Sequence, residues 1–123
     1  MKDVFCSMEN FCFFYTRDSV LLVVGENRYG QLGLGTNEPK FVAKATVLMN
    51  DPEVKSIALG YSHSLILRKN GELFGMGNNL SKQLSLEDTS SRFGPTLLMK
   101  DESIRQVMGL TIFEITQKIE LRT

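Results

Sequence analysis

Residues 25–35 read Gly-Glu-Asn-Arg-Tyr-Gly-Gln-Leu-Gly-Leu-Gly, and a related stretch, Gly-Asn-Asn-Leu-Ser-Lys-Gln-Leu-Ser, follows at residues 77–85. Both stretches open with glycine, place asparagine two residues later and place Gln-Leu at the same distance beyond that asparagine. Their first glycines, Gly25 and Gly77, lie 52 residues apart. A sequence that matches itself at a fixed period of this length is typical of proteins built from repeated structural units.

The segments before the two stretches match at the same spacing. Residues 11–15 and 20–24 are short apolar runs rich in aromatic and β-branched residues, and a polar turn at residues 17–19 separates them. This pattern predicts a β-hairpin, and its nearly continuous apolar character predicts strands that are buried on both faces. Residues 63–76 repeat the pattern, with an Asn-Gly turn of the kind that favours tight hairpins.

A third pair of matching segments follows the two stretches. Residues 45–57 match residues 95–107 at a spacing of 50, which a two-residue difference in loop length explains. We therefore expect a single partial domain in three parts. These parts are residues 1–44 as the end of one repeat, 45–94 as a complete repeat and 95–123 as the start of a further one.

The period and the short strands together indicate the fold. A period near 50 built from short strands and glycine-rich turns is typical of the blades of a β-propeller. WD40 repeats are shorter and carry tryptophan, which this chain lacks, and the adjacent glycine pair of kelch repeats is absent. We predict an all-β fold, a partial β-propeller of about two blades of short antiparallel strands. Residues 111–123 are expected to form a weak strand or strand pair, with a short helix as the alternative.

The composition of the chain argues against two kinds of partner. The 123 residues carry 14 basic and 14 acidic side chains, and no basic stripe indicates nucleic-acid binding. The hydrophobic content of 42% is that of an ordinary globular chain. The apolar runs at 11–15 and 20–24 are much shorter than the roughly 20 residues that span a bilayer. We therefore expect neither nucleic acid nor membrane as a partner.

The two cysteines, Cys6 and Cys12, have five residues between them, and the only histidine, His63, is distant in sequence. These residues are too few for a structural zinc site and for the disulfide framework of a small secreted domain. We expect buried or half-buried thiols in a reducing compartment. Since no signal peptide is evident, the expected location is intracellular, either cytoplasmic or nuclear.

The glycines at residues 25–35 do not match a nucleotide-binding loop. The spacing from Gly25 to Gly30 is that of a phosphate-binding loop, but such a loop needs Lys and Ser or Thr after its second glycine. This chain has Gln31 and Leu32 there. We expect the glycines to let the backbone turn sharply and Asn27 to bond backbone groups of its own loop.

His63 lies between two serines, but adjacent strand residues point to opposite faces, so neither serine is placed to form a nucleophile–base pair with it. We predict a structural histidine. No catalytic, cofactor-binding or metal-binding residue is expected, and no cofactor. The residues assigned to structural loops are Gly25, Asn27, Gly30, Gln31, Gly33, Gly35, Gly60, His63, Gly71, Gly77 and Asn79.

These residues carry a resemblance to the repeat of the regulator of chromosome condensation family. It rests on the loop at 25–35, on Ile-Ala-Leu-Gly-Tyr-Ser-His-Ser at 57–64 and on Asn-Gly-Glu-Leu-Phe at 70–74. The chain departs from the family pattern in two ways. The family usually has tryptophan directly before the loop, which this chain lacks at both positions, and the second loop has lost three glycines. The residues at those positions are Val24, Met76, Lys82, Ser85 and Glu87.

The resemblance implies a seven-bladed β-propeller for full-length members, whereas 123 residues are too few for even four blades at this period. A repeat of this kind buries its faces only against its neighbours. We therefore expect either a fragment of a longer propeller or self-association that supplies the missing blades.

The residues favour a non-catalytic protein–protein interaction module over an enzyme. Candidate contacts are Arg28, Tyr29 and Lys82 on the blade loops, and Arg and Tyr are residue types that anchor interfaces. The resemblance implies an alternative, guanine-nucleotide exchange on a small Ran-like GTPase. A non-functional fragment of a longer propeller is a further alternative. We expect a protein partner, with a small GTPase as one candidate.

Overall fold

The computed structural model describes residues 3–6 and 10–103, and its regular structure there is entirely β. The strands are Asp3–Cys6 (β1), Phe11–Tyr15 (β2), Val20–Glu26 (β3), Phe41–Asn50 (β4), Val54–Leu59 (β5), His63–Arg68 (β6), Glu72–Gly77 (β7) and Arg92–Lys100 (β8). They form two four-stranded sheets, in the orders β1-β2-β3-β4 and β5-β6-β7-β8. The predicted all-β class with about two blades is confirmed.

The predicted strand or helix at residues 111–123 lies outside the described residues. Among the residues that are described, no helix has the length and apolar character that crossing a membrane requires.

Both predicted hairpins are confirmed, and they close in the same way. The β2–β3 pair runs to Tyr15 opposite Leu21, and Ser19 N donates to Thr16 O at 3.0 Å. In the β6–β7 pair Gly71 N donates to Arg68 O, also at 3.0 Å. Ser19 and Gly71 both have positive φ, 65° and 89°. The turns therefore share one backbone shape, although only the second carries the glycine that adopts it without strain.

The outer strand of each sheet is joined to its neighbour by an irregular ladder. The register of β3 against β4 shifts between Leu21 and Leu22, and that of β7 against β8 shifts between Leu73 and Phe74. These positions are equivalent in the two repeats. A β-bulge bends its strand and increases its twist. The same irregularity therefore shapes the pairing of the outer strand in both blades.

The sheets are out of phase with the repeats expected from the sequence. The first sheet extends to Asn50 and the second begins at Val54, whereas the sequence matches place the complete repeat at residues 45–94. The matching segment at 45–57 thus contains the end of β4, the connecting turn and the first residues of β5. A period measures the length of a repeat, but strand pairing decides where the structural unit begins.

The main hydrophobic core lies between the two sheets. One face of β2 and β3 packs there against side chains of the second sheet. The fully buried residues in contact are Phe11, Phe13, Leu21 and Val23 from the first sheet and Ile57, Ile66 and Met76 from the second. A smaller cluster on the other side of the second sheet joins Leu65, Leu67, Leu73 and Leu84.

The expectation that residues 11–24 are buried on both faces is wrong for one of the faces. The alternate side chains of these strands are only half-buried, namely Cys12, Phe14, Leu22 and Val24. Successive strand residues point to opposite faces, and within the described residues the second sheet packs against only one of them.

The turn between the sheets is held by an ion-paired network. Arg68 Nε donates to Asp51 Oδ2 at 2.9 Å, and Arg68 Nη1 donates to Glu72 Oε1 at 2.7 Å. Tyr15 Oη donates to the Asp51 carbonyl at 2.6 Å, which ties the turn to the first sheet. Partial burial disfavours the Asp51 carboxylate, but hydrogen bonds from Arg68 and the Glu53 amide outweigh it and lower the pKa of Asp51.

The expectation of free thiols is also wrong. No free cysteine is found in the described part of the chain, and Cys12 is disulfide-bonded. The backbone register of β1 against β2 places Cys6 directly opposite Cys12. Residues opposite each other in an antiparallel pair have Cα atoms at a separation that suits a disulfide. The number of residues between the two cysteines does not reveal that they are close, because the pairing of β1 with β2 brings them together.

Candidate functional site

Three connections meet at one end of the two sheets, which we name the loop end. They are the β3–β4 connection at residues 27–40, the β5–β6 turn at 60–62 and the β7–β8 connection at 78–91. Asn78 N donates to Ser62 O at 2.8 Å, so the last two connections are joined directly.

Asn27 organises the first connection. Its side chain is fully buried. Asn27 Nδ2 donates to Thr36 O at 3.0 Å, and Asn27 Oδ1 accepts from Leu32 N at 3.3 Å. One amide thus satisfies both a carbonyl and an N–H group that lie within the loop, which side chains of this type do well.

Gln31 links the first connection to the second sheet. Its side chain is fully buried, and Gln31 Oε1 accepts from Tyr29 N at 3.0 Å. The Gln31 carbonyl accepts from Ser64 Oγ at 2.7 Å. Gln31 Nε2 is the one buried side-chain nitrogen or oxygen without a hydrogen-bond partner among the described residues.

Glycines allow the first connection to press against the second sheet. A Cβ built on Gly30 would lie 2.6 Å from the Cα of Phe93 and 2.4 Å from its Cδ1. Gly35 N donates to Phe93 O at 2.8 Å. Gly30 has a φ of 78°, so its backbone conformation disfavours a side chain, and its contact with β8 leaves no room for one.

The second connection forms the same internal bonds with fewer glycines. Asn79 Nδ2 donates to Asp88 O at 2.9 Å, and Asn79 Oδ1 accepts from Leu84 N at 3.1 Å. Lys82 and Ser85 replace two glycines and keep the left-handed conformation, each with a φ of 56°. Asp88 also receives an ion pair from Arg92, at 2.9 Å.

A cleft of about 330 Å³ lies between the two blades at the loop end. It is lined by Glu26 at the end of β3 and by residues of all three connections: Arg28, Tyr29, Gln31, Tyr61, Ser62 and Asn78. Tyr61 is 60% exposed, and the Arg28 side chain is 68% exposed. A volume of this size is at the lower end of the range for sites that hold a small ligand or a side chain.

Hydrogen bonds inside the cleft occupy acceptors more than donors. Glu26 Oε1 accepts from Arg28 N at 3.3 Å and lies 3.7 Å from Arg28 Nε. Asn78 Oδ1 accepts from Leu80 N at 2.8 Å, and Asn78 Nδ2 donates to Ser62 Oγ at 3.1 Å. The guanidinium of Arg28, the Ser62 hydroxyl and Gln31 Nε2 are left with donor capacity.

The structure brings together two of the three residues predicted to contact a partner. Arg28 and Tyr29 line the cleft, whereas Lys82 lies on the second connection and outside it. Sequence reasoning missed Tyr61 and Ser62. They belong to a turn that is distant along the chain, and their exposure or proximity to Arg28 has no local signature.

His63 packs at the base of the loop end. A Cβ built on Gly60 would lie 2.2 Å from His63 Cε1, so the imidazole rests on that glycine. Burial lowers the pKa of His63 because it disfavours the charged ring. Ser64 Oγ is engaged with the Gln31 carbonyl, so it is turned to the first connection. Within the described residues, no group of three or more His, Cys, Asp or Glu could hold a metal ion.

Three of the remaining glycines assigned to structural loops lie against backbone. Built Cβ atoms on Gly25, Gly71 and Gly77 would lie 2.1, 2.6 and 2.5 Å from backbone atoms of Asn10, Asp101 and Ser62, respectively. At Gly33 the nearest atom is Met76 Sδ at 3.1 Å, and at Gly35 no atom lies within 4 Å.

The chain is similar to several known proteins. Two models of the regulator of chromosome condensation (RCC1) repeat match it, at residues 18–67 and 54–83, and together they cover more than half of its length. The probable E3 ubiquitin-protein ligase HERC4 of Homo sapiens is 41% identical over 76 residues, which are 60% of this chain and 7% of HERC4. The guanine nucleotide exchange factor SRM1 of Saccharomyces cerevisiae is 37% identical over 79 residues, which are 58% of this chain and 16% of SRM1.

A solved structure shares the fold. Yeast RCC1 (Prp20), in its crystal structure with Kap60, matches with a TM-score of 0.65 and 28% identity over 78% of this chain. The chain spans 25% of that chain, and only a small part of the relatives it matches. The repeated loops, the paired blades and both repeat models agree, and the chain belongs to the regulator of chromosome condensation (RCC1) repeat family.

Proposed function

We propose that this chain is a non-catalytic protein–protein interaction module that contacts its partner through the loop end. The observation that carries this proposal is the cleft between the blades, rimmed by the exposed side chains of Arg28 and Tyr61. Arg and Tyr are among the residue types enriched at the energetically important positions of protein interfaces. These two side chains would anchor the partner, and the polar cleft beside them would receive one of its side chains.

The hydrogen bonds of the loops support a binding role over a catalytic one. Asn27 and Asn79 are buried and bond backbone groups of their own connections. Ser64 is buried and donates to the Gln31 carbonyl, so the hydroxyl next to His63 in sequence serves the contact between the blades. These groups stabilise the loops, which leaves the cleft residues to meet a partner.

The proposal is tested by capturing partners from cell extract with the full chain and with an Arg28→Ala, Tyr61→Ala double variant. Lys82→Ala is the matched control, because Lys82 is exposed on the equivalent connection but outside the cleft. We expect the double variant to lose partners that the control retains. If both variants retain the same partners, the cleft is not the interaction surface.

Guanine-nucleotide exchange is the second candidate, favoured by the 37% identity with the exchange factor SRM1. Because a shared fold does not by itself carry an activity, the chain needs a direct assay. Release of labelled GDP from a Ran-like GTPase is measured with and without the chain. A rate equal to that in buffer rejects this candidate and leaves the interaction module in place.

We also propose that the open face of the first sheet is covered in the functional assembly. On the second sheet, the positions equivalent to Phe14 and Val24 are Ile66 and Met76, which pack in the core between the blades. Further blades of a longer chain or a second copy could cover the first sheet in the same way. Light scattering after size exclusion separates these cases: a defined oligomer indicates a second copy, and a folded monomer rejects it.

A further inference from the structure

We propose that the cleft binds the carboxylate of an acidic side chain, Asp or Glu, presented by an extended segment of the protein partner. The inference rests on the proposed interaction function and adds the chemical class of the ligand. Its starting point is Gln31 Nε2, a buried donor without a partner at a residue that lines the cleft.

The orientation of the Gln31 amide follows from its other contact. Gln31 Oε1 accepts a hydrogen bond from Tyr29 N at 3.0 Å. An inverted amide would place a donor against that N–H group, so the nitrogen is the unpaired end. A buried N–H group without an acceptor destabilises a folded protein, and a ligand that brings an acceptor removes this penalty.

The equivalent glutamine shows that the unpaired donor is not a consequence of the loop itself. Gln83 Oε1 accepts from Ser81 N at 2.9 Å, in the same geometry as Gln31 and Tyr29. Gln83 is only half-buried, so its nitrogen can be hydrated. The unsatisfied donor arises only where the connection is enclosed by the neighbouring blade.

The other cleft residues favour an anionic acceptor. The acceptors Glu26 Oε1 and Asn78 Oδ1 already receive backbone N–H groups. Arg28 is largely exposed and has five N–H donors, and its Nε lies 3.7 Å from Glu26 Oε1. A guanidinium and an amide nitrogen from the lining of one cleft together offer donors to the two oxygens of a carboxylate.

Glu26 restricts the charge of the ligand. Its carboxylate lies within the cleft lining and partly neutralises Arg28. Because Arg28 and Glu26 carry opposite charges, a bound carboxylate leaves one net negative charge in the cleft, whereas a dianionic phosphate leaves two and is repelled more strongly by Glu26. The cleft therefore fits a carboxylate better than a phosphorylated side chain.

The experiment follows the side-chain amide resonance of Gln31 in the isotope-labelled full chain during titration with capped peptides. The probes are Gly-Glu-Gly, its uncharged counterpart Gly-Gln-Gly and a phosphoserine counterpart. We expect a saturable shift with the Glu peptide, with affinity at least about tenfold weaker for the Gln peptide. Equal response to the Glu and Gln peptides, no shift of the Gln31 resonance, or tighter binding of the phosphopeptide overturns the proposal.

Variants test the assignment to individual residues. Gln31→Glu keeps the acceptor for Tyr29 N but replaces the donor with a repelling carboxylate, and we expect binding to weaken at least about tenfold. Gln83→Glu is the control on the equivalent loop and should bind as the parent chain does. Arg28→Ala changes an exposed side chain, so it tests the site even if Gln31→Glu fails to fold. Unchanged binding by Arg28→Ala overturns the proposal.

The two proposals fail differently. If the Arg28 and Tyr61 double variant loses protein partners while the Glu peptide does not bind, the interaction module stands and the carboxylate class is rejected. If the Glu peptide binds and the double variant keeps all partners, the carboxylate site stands and the cleft is not the main interaction surface.

Discussion

The connection at residues 27–37 and its counterpart at 79–89 make the same hydrogen bonds with different sequences. Asn27 and Asn79 each accept from an N–H group five residues ahead and donate to a carbonyl nine residues ahead. Gly30 N and Lys82 N donate to the carbonyls of these asparagines at 3.1 and 3.0 Å. The asparagine therefore determines the shape of the connection, and glycine is not needed for it.

The difference between the connections lies in what surrounds them. Gly30 lies against the backbone of Phe93 with no room for a Cβ, whereas Lys82, its equivalent, is exposed. Gly33 lies against Met76 and Leu48, whereas Ser85 is also exposed. The comparison indicates that Gly30 and Gly33 serve contact between the blades, which substitution can test.

The largest effect is expected for Gly30→Ala. A φ of 78° strains any L-residue, and the new Cβ would overlap Phe93. Together these effects should lower the free energy of unfolding by about 4 kcal/mol. Urea denaturation measures the loss. The matched control is Gly35→Ala, which has a φ of 88° but no atom within 4 Å of the built Cβ. An equal loss in both variants would refute the argument from contact between blades.

The second effect tests what the connections share. Asn27→Ala and Asn79→Ala each remove a buried side chain that donates and accepts within its loop. Each should cost about 2 kcal/mol, because the backbone groups left behind lose their partners. Thermal or urea unfolding of the two variants gives the comparison. A small loss for one and a large loss for the other would show that the asparagines do not play equivalent roles.

A third effect concerns His63, whose equivalent in the first repeat is Phe11. Burial lowers the pKa of folded His63 below its ordinary value of 6.5. As the pH falls below 6.5, the unfolded chain binds a proton that the folded chain does not, so stability decreases with falling pH. The free energy of unfolding decreases by at most about 1.4 kcal/mol for each unit by which burial lowers the pKa of His63.

The His63→Phe variant copies the first repeat and serves as the control for that effect. The melting temperature of this variant should no longer show the decrease that protonation of His63 causes as the pH falls through 6.5. The lowered pKa values of Asp51 and Asp88 reduce stability only as the pH falls below their ordinary value of 3.8. They therefore do not contribute to a change near pH 6.5. An unchanged pH profile in the variant would contradict the assignment to His63.

The smallest effect is expected for Lys82→Gly. Lys82 has a φ of 56° and is exposed, so glycine relieves the cost of the left-handed conformation without losing a packed side chain. The gain should be about 0.5–1 kcal/mol, since the flexibility of glycine in the unfolded chain offsets part of it. Lys82→Ala removes the same side chain but keeps the conformational cost. Equal stability of the two variants would show that the residue is not strained.

The sequence alone determined the features that depend on neighbouring residues. The period of 52, the hairpin turn at Asn70 and Gly71 and the loop opening at Gly25 all predicted paired strands and glycine turns. The repeat phrases pointed to the family. These features are readable because a turn or a capping side chain bonds atoms only a few positions away.

Tertiary structure decided the features that depend on contact between segments. The half-exposure of Phe14 and the approach of Gly30 to Phe93 follow from how one blade lies on the next. The meeting of Arg28 with Tyr61 at the cleft, and the disulfide bonding of Cys12, likewise need the folded chain. Packing between distant segments has no local periodicity, so it becomes visible only when the two sheets are placed together.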